Sequence, residues 1–138
     1  MSSSVEQSAG DSATVKSSAV RRISIVDDDT AIREALKSLM RSIRFEVDAF
    51  ASAEEFLASE SFNTTACLIL DVYLPGMSGF ELQSRLNREG RGIPIIFITA
   101  HADEVSRQRA LESGAVDFLG KPVRREVLFK AIRAAMES

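Results

Sequence analysis

Apolar runs that stop abruptly at polar residues constrain the fold of this chain more than any other feature. Four runs are almost continuously apolar, at 22–26, 66–71, 94–99 and 115–119. Such runs are typical of β-strands that are buried on both faces, as in a parallel sheet covered by helices. A fifth run, 45–50, is amphipathic and predicts a strand with one partly exposed face.

Amphipathic helices are predicted between these strands. The first carries a stripe of apolar residues at helical spacing, at Ile32, Leu36, Leu39, Met40 and Ile43. The fifth places apolar residues on one face, at Val127, Leu128, Ala131, Ile132 and Ala135. Strands that alternate with helices predict an α/β fold, a doubly wound parallel sheet with right-handed crossovers.

Helix ends are marked by short polar patterns. The second and third helices begin with the capping-box spacing, Ser52 to Glu55 and Ser78 to Glu81, in which the two residues bond each other's backbone N–H groups. One of the aspartates at 27–29 is expected to cap the first helix, which begins near Thr30. A fourth helix is expected over about 103–113, ending at Gly114.

The domain prediction is a tail at 1–20 and a single folded domain at 21–138. The first twenty residues contain seven serines and no aromatic residue, which favours disorder. A net charge of -3 and a pI near 5.2 exclude a basic nucleic-acid surface. No run has the length of a membrane span, and no secretory signal is recognisable, so we expect a cytoplasmic protein. Cys67 is expected to be a buried small hydrophobe.

Polar residues follow four of the predicted strands. They are Asp27 and Asp28 after the first strand, Asp71 after the third, Thr99 after the fourth and Lys121 after the fifth. Because ligands bind at the carboxyl ends of parallel strands, these side chains are expected to form one site. Adjacent carboxylates repel one another, and a bound Mg²⁺ would relieve that repulsion. Asp71 would be a nucleophile that forms an acyl phosphate.

Each of these residues also has a purely structural explanation. A single Asp can cap a loop or helix, a strand-end Thr can bond the backbone, and a loop lysine can be solvated. Lys121 precedes Pro122, which favours extended geometry and permits a cis bond, and lets the ammonium reach the acidic cluster. Four separate structural explanations at four strand ends form a weaker hypothesis than one shared site.

The chain from about residue 22 to 136 resembles the receiver domains of two-component response regulators. The matching segments are Ile25-Val26-Asp27-Asp28-Asp29, Leu70-Asp71-Val72-Tyr73-Leu74-Pro75-Gly76-Met77-Ser78-Gly79, Ile98-Thr99-Ala100 and Asp117-Phe118-Leu119-Gly120-Lys121-Pro122. The last segment is most similar to receivers that precede a helix-turn-helix output domain. The resemblance implies a flavodoxin-like receiver fold with strand order 2-1-3-4-5.

The resemblance also implies a role for each residue. Asp71 would accept a phosphoryl group from a phosphohistidine on a histidine kinase or phosphotransfer protein. Asp27, Asp28, Asp71 and the backbone carbonyl of Tyr73 would bind Mg²⁺, with Asp27 acting largely through water. Thr99 and Lys121 would each bond a phosphoryl oxygen. Phe118 would be the aromatic switch residue, turning inward as Thr99 moves, and it lacks the hydroxyl that a Tyr would have there.

Further expectations concern partners and phosphate lifetime. The resemblance suggests phosphorylation-dependent dimerisation through the face formed by the fourth helix, fifth strand and fifth helix. Tyr73 and His101 should flank the mouth of the site and affect hydrolysis. Two other functions stay open: a receiver-fold scaffold that is never phosphorylated, and a flavin- or nucleotide-binding enzyme. The first is disfavoured by the intact site residues, the second by the lack of a glycine-rich loop after the first strand.

Overall fold

The computed structural model describes residues 21–137, in which five parallel strands form one sheet. The strands are β1 (Arg22–Val26), β2 (Glu46–Phe50), β3 (Thr65–Asp71), β4 (Ile95–Thr99) and β5 (Asp117–Gly120). Their spatial order is β2-β1-β3-β4-β5, and every neighbouring pair is parallel. This confirms the predicted fold. The predicted tail, residues 1–20, lies outside the described residues, as does Ser138.

Five helices cover the two faces of the sheet. They are α1 (Thr30–Ser42), α2 (Ala53–Ala58), α3 (Gly79–Arg88), α4 (Glu104–Glu112) and α5 (Arg125–Glu137), and a 3₁₀ turn, Glu60–Asn63, follows α2. On one face, α2, α3 and α4 cover a core that includes Phe56, Phe80 and Phe97. On the other face, α1 and α5 cover a second core that includes Met40 and Ile132. No helix within residues 21–137 is long and apolar enough to cross a membrane.

Alternation of side chains along the strands divides the sheet between these two cores. Ile23 and Ile25 of β1 belong to the core under α1 and α5, whereas Val26 belongs to the other. Cys67 of β3 is fully buried, as predicted, and burial raises the pKa of its thiol to about 12. Strands that are buried on both faces cannot shift in register without exposing apolar side chains. The sheet therefore fixes the positions of the strand ends.

Most predicted helix ends are confirmed. Asp29 caps α1 by accepting the Ile32 N–H at 3.1 Å, and α3 begins with a complete capping box between Ser78 and Glu81. Gly114, after α4, has φ +102°, a value that favours glycine because it has no Cβ.

Three sequence predictions about local structure were wrong. Glu55 does not return its bond to Ser52 in α2; its carboxylate accepts the Ala51 N–H at 3.2 Å instead. Val127 is exposed, because the buried stripe of α5 runs through 128, 131, 132 and 135. Ile43 is also exposed, because α1 ends at Ser42 and Ile43 lies beyond the helical stripe.

Candidate functional site

The predicted polar residues come together at the carboxyl edge of the sheet. Asp71 and Thr99 are the last residues of β3 and β4, Asp27 follows β1, and Lys121 follows β5. The four strands are consecutive in the sheet, so their ends lie side by side. Asp27 and Thr99 are fully buried and Asp71 is 5% exposed, whereas Asp28 is exposed.

Lys121 connects the two buried carboxylates. Its Nζ lies 2.8 Å from Oδ2 of Asp27 and 2.9 Å from Oδ2 of Asp71. The peptide bond between Lys121 and Pro122 is cis, and the Lys121 N–H donates to the Thr99 carbonyl at 2.8 Å. The end of β5 therefore holds the ammonium inside the acidic site rather than in solvent.

Burial and charge shift the pKa of both partners. Burial raises the pKa of Asp71 above its usual value, and the charge of Asp27 raises it further, against the opposing effect of Lys121. Burial alone lowers the pKa of the Lys121 ammonium, but the carboxylates of Asp27 and Asp71 outweigh it, so that the pKa is raised. The site thus holds more negative charge than one ammonium neutralises.

The carboxylates can hold a metal ion. One oxygen from each of Asp27, Asp28 and Asp71 lies within 4.8 Å of the others. Oδ2 of Asp27 is buried, and its ion-pair partner within residues 21–137 is the Lys121 ammonium at 2.8 Å. Three carboxylates around a single ammonium leave negative charge that a cation can neutralise, and Mg²⁺ prefers such oxygen ligands.

Asp27 is held by hydrogen bonds at its backbone N–H, its backbone carbonyl and its Oδ1. Its N–H donates to the Phe50 carbonyl at 3.1 Å, and its Oδ1 accepts the Asp29 N–H at 2.9 Å. Its backbone carbonyl accepts Nη1 of Arg33 at 2.7 Å. Sequence analysis did not identify Arg33. Helical side chains tilt toward the N-terminus, so an arginine near the start of α1 reaches the end of β1.

Thr99 and Phe118 lie between the acidic site and the outer part of the sheet. Thr99 Oγ1 accepts the His101 N–H at 3.2 Å. The Phe118 ring is buried and packs against Phe97 with 6.0 Å between ring centroids, and Phe97 packs against Phe80 at 5.3 Å. The predicted switch residue is therefore already turned inward in this structure.

Two aromatic side chains lie together beside the site, in the loops that follow β3 and β4. Tyr73 is 53% exposed and meets His101 edge to face, with 5.7 Å between ring centroids. The Tyr73 N–H donates to Oδ1 of Asp71 at 3.3 Å. The structure thus brings together the two residues predicted at the mouth.

Gly79 permits the close approach of α3 to Asp71. A Cβ on Gly79 would lie 2.3 Å from the Asp71 carbonyl oxygen and 3.0 Å from Cα of Val72, both backbone atoms that cannot rotate away. The Gly79 N–H also donates to the Val72 carbonyl at 2.9 Å. We expect Gly79→Ala to destabilise the fold by about 2 kcal/mol, since overpacking forces backbone shifts.

The matched control for this prediction is Gly92→Ala. A Cβ on Gly92 meets nothing within 4 Å, so its replacement is expected to leave stability nearly unchanged. Urea denaturation of both variants measures the difference. Equal free energies of unfolding for the two would show that α3 does not depend on close contact with Asp71.

Comparison with known proteins assigns the family. A model described as the response regulator receiver domain matches residues 23–133. The response regulator protein TodT of Pseudomonas putida is 50% identical over 115 residues, which cover 83% of this chain and 51% of TodT. Nodulation protein W of Bradyrhizobium diazoefficiens is 50% identical over 113 residues, which cover 82% and 50% of the two chains.

A solved structure agrees with these matches. The receiver domain protein (CheY-like) of Methanospirillum hungatei JF-1 is similar with a TM-score of 0.78 and 31% identity, over 86% of this chain and 95% of that chain. The chain spans about half the length of the curated relatives it matches. By sequence, by fold and by the residues at its strand ends, the chain belongs to the response regulator receiver domain family.

Proposed function

We propose that this chain is a phosphorylation-dependent switch in which Asp71 accepts a phosphoryl group from a phosphohistidine on a histidine kinase or phosphotransfer protein. The observation that carries the proposal is the pairing of Asp71 with Lys121 in a buried acidic site that suits a divalent cation. The reaction takes place in the cytoplasm. The enzyme-like activity of the chain is confined to its own phosphorylation and dephosphorylation.

The transfer is a displacement at phosphorus. A carboxylate oxygen of Asp71 attacks the phosphorus atom, a P–O bond forms, and the P–N bond to the donor imidazole breaks. The electron pair of that bond stays on the imidazole nitrogen. The Lys121 ammonium and the Thr99 hydroxyl donate to phosphoryl oxygens as charge develops there. Bound Mg²⁺ supplies further positive charge to the phosphoryl group.

The proposed Mg²⁺ ligands are Asp28, Asp71 and the Tyr73 backbone carbonyl, with Asp27 acting largely through water. We expect Asp28→Ala to abolish the rise in melting temperature that Mg²⁺ gives the wild type, because the exposed carboxylate contributes a direct ligand. Acid is expected to weaken binding, since Asp71 has a raised pKa and takes up a proton as the pH falls.

Thermal melts with and without Mg²⁺ test this expectation. Glu112→Ala is the matched control, because it removes an exposed acidic charge from α4, outside the acidic site. A normal Mg²⁺ shift in Asp28→Ala would rule out Asp28 as a ligand. A reduced shift in Glu112→Ala would mean that net charge, rather than coordination, governs the effect.

Phosphorylation would act on the face formed by α4, β5 and α5. Thr99 is the proposed sensor of the phosphoryl group. It pairs with Gly120 of β5, the same strand that carries Phe118. Val105 on α4 is 79% exposed and Val127 on α5 is exposed, which supports contact with a second copy or an output domain. Sedimentation of the phosphorylated protein measures this association.

The rings at the mouth are proposed to set the lifetime of the phosphate. Hydrolysis needs a water molecule in line with the phosphorus atom, and the Tyr73–His101 pair would hinder that approach. We expect Tyr73→Ala and His101→Ala to shorten the lifetime several-fold, measured as decay of the phosphorylated form. Ile43→Ala, an exposed apolar truncation at the end of α1, is the control. Decay at the wild-type rate in both mouth variants would show that the pair does not shield the phosphate.

A further inference from the structure

Arg33 makes a contact at the acidic site that neither the proposed chemistry nor the family assignment uses. Its guanidinium spans two acceptors, with Nη1 at 2.7 Å from the Asp27 carbonyl and Nη2 at 3.1 Å from Oγ1 of Thr30. The side chain is half-buried. Within residues 21–137 it forms no ion pair, although the aspartates that follow β1 are close in sequence. The guanidinium is therefore bonded to one backbone carbonyl and one side-chain hydroxyl rather than to a carboxylate.

The bonded carbonyl belongs to the peptide that joins Asp27 to Asp28. A hydrogen bond from a charged donor to that oxygen restricts rotation of the peptide plane. That plane sets the path of the chain into Asp28, and with it the position of the Asp29 N–H that Oδ1 of Asp27 accepts at 2.9 Å. Both carboxylates contribute to the oxygen cluster that can hold a cation.

We propose that Arg33 is a positioning residue that holds the Asp27–Asp28 peptide so that both carboxylates point into the cation site. The proposal rests on the function proposed above, in which a cation at this site supports phosphorylation of Asp71. Arg33 touches neither the reacting atoms nor the metal in this role. It acts through the backbone of its neighbours, as hydrogen-bonded groups behind metal ligands commonly do.

A positioning role and simple Coulomb repulsion predict opposite changes in Mg²⁺ affinity when Arg33 is removed. Arg33 carries a positive charge near a cation site, so Coulomb repulsion alone would make its removal strengthen Mg²⁺ binding. Loss of the contact with Asp27 would instead let the peptide rotate and weaken binding. The direction of the change therefore identifies the role.

Mg²⁺ affinity can be measured without any reaction. The chain has one tyrosine and no tryptophan, so its intrinsic fluorescence comes from Tyr73, two residues after Asp71. We expect Arg33→Ala to weaken Mg²⁺ binding about tenfold, the lower end of the range for residues behind metal ligands. Arg33→Lys keeps one donor and is expected to recover part of the affinity. It also serves as the test variant if Arg33→Ala does not fold.

Arg41→Ala is the matched control. Arg41 lies on the same helix, about 12 Å further along its axis, and is exposed. Removing its charge is expected to leave Mg²⁺ affinity unchanged, and melts in EDTA show whether any variant has lost its fold. Binding by Arg33→Ala as tight as in wild type, or tighter, would overturn the proposal.

The rate of phosphorylation by acetyl phosphate provides the second measurement. We expect Arg33→Ala to be phosphorylated slowly at limiting Mg²⁺ and at the wild-type rate at saturating Mg²⁺. The acetyl phosphate concentration that gives half the maximal rate should be the same as for the wild type. A raised donor requirement with unchanged Mg²⁺ affinity would mean that Arg33 binds the donor, and would overturn the proposal. Weakened Mg²⁺ binding in a protein whose wild type is never phosphorylated would support the positioning role while refuting the proposed function.

Discussion

Asp71→Asn is expected to abolish phosphorylation completely while leaving the fold intact. The amide has nearly the shape of the carboxylate but lacks a nucleophilic oxygen of comparable reactivity, so no acyl phosphate forms. Asp71 is buried at the end of β3 among well-packed strands, and a nearly isosteric replacement leaves that packing unchanged. Incubation with acetyl phosphate and Mg²⁺, followed by intact-mass measurement, detects the phosphoryl adduct directly.

The same substitution is expected to increase stability at neutral pH. The pKa of Asp71 is raised in the folded protein, so its ionised form opposes folding, and protonation relieves that cost as the pH falls through the raised value. Asparagine removes the cost at every pH. The advantage of the variant should therefore be largest near pH 7 and shrink toward the usual pKa of 3.8.

Glu112→Gln is the control for both measurements, because it neutralises an exposed carboxylate of α4. It should be phosphorylated like the wild type and show no gain in stability. Uptake of phosphate by Asp71→Asn at the wild-type rate would refute the assignment of the acceptor. A variant less stable than wild type at pH 7 would show that the ion pair with Lys121 outweighs the burial of the carboxylate.

Lys121→Met is expected to destabilise the metal-free protein by about 3 kcal/mol, because removing one partner leaves buried charges uncompensated. The ammonium lies within 3 Å of both Asp27 and Asp71, and its side chain is 17% exposed. Methionine retains most of the apolar stem, so the change isolates the charge. Without the ammonium the two carboxylates repel each other, which raises the pKa of Asp71 further.

The dependence of the lost stability on pH and on Mg²⁺ distinguishes this electrostatic effect from loss of packing. The deficit should shrink as the pH falls, because protonation of Asp71 then removes the repulsion. It should also shrink when Mg²⁺ is added, because the cation replaces the missing charge. Urea denaturation at pH 7 and pH 5, with Mg²⁺ or EDTA, measures both, with Lys130→Met on the exposed side of α5 as control. A deficit independent of pH and Mg²⁺ would contradict the electrostatic account.

The sequence was sufficient to predict the sheet and the meeting of the site residues. Buried parallel strands appear as apolar runs, and the residue after each run must lie at the carboxyl edge, so Asp27, Asp71, Thr99 and Lys121 converge by topology alone. The distances between the paired atoms depend on side-chain rotamers, which no pattern in the sequence gives.

The wrong predictions have a common cause, which is tertiary context. The spacing from Ser52 to Glu55 equals that from Ser78 to Glu81, yet only the second pair forms the full capping box, because the chain enters α2 so that Ala51 meets the Glu55 carboxylate. The 3₁₀ turn at Glu60–Asn63 was not predicted, because it is too short to show a helical period in the sequence. Arg33 was missed because its partner is a backbone carbonyl, which has no signature in a sequence.

Mapping the phosphorylated residue by mass spectrometry tests the central claim most directly. The protein is incubated with acetyl phosphate in Mg²⁺ or EDTA, and borohydride then reduces any acyl phosphate to an alcohol that survives digestion. The tryptic peptide 45–85 contains two aspartates, Asp48 and Asp71, which fragmentation separates. We expect a Mg²⁺-dependent modification at Asp71 alone. A modification at Asp48 or elsewhere, or none in the presence of Mg²⁺, would contradict it.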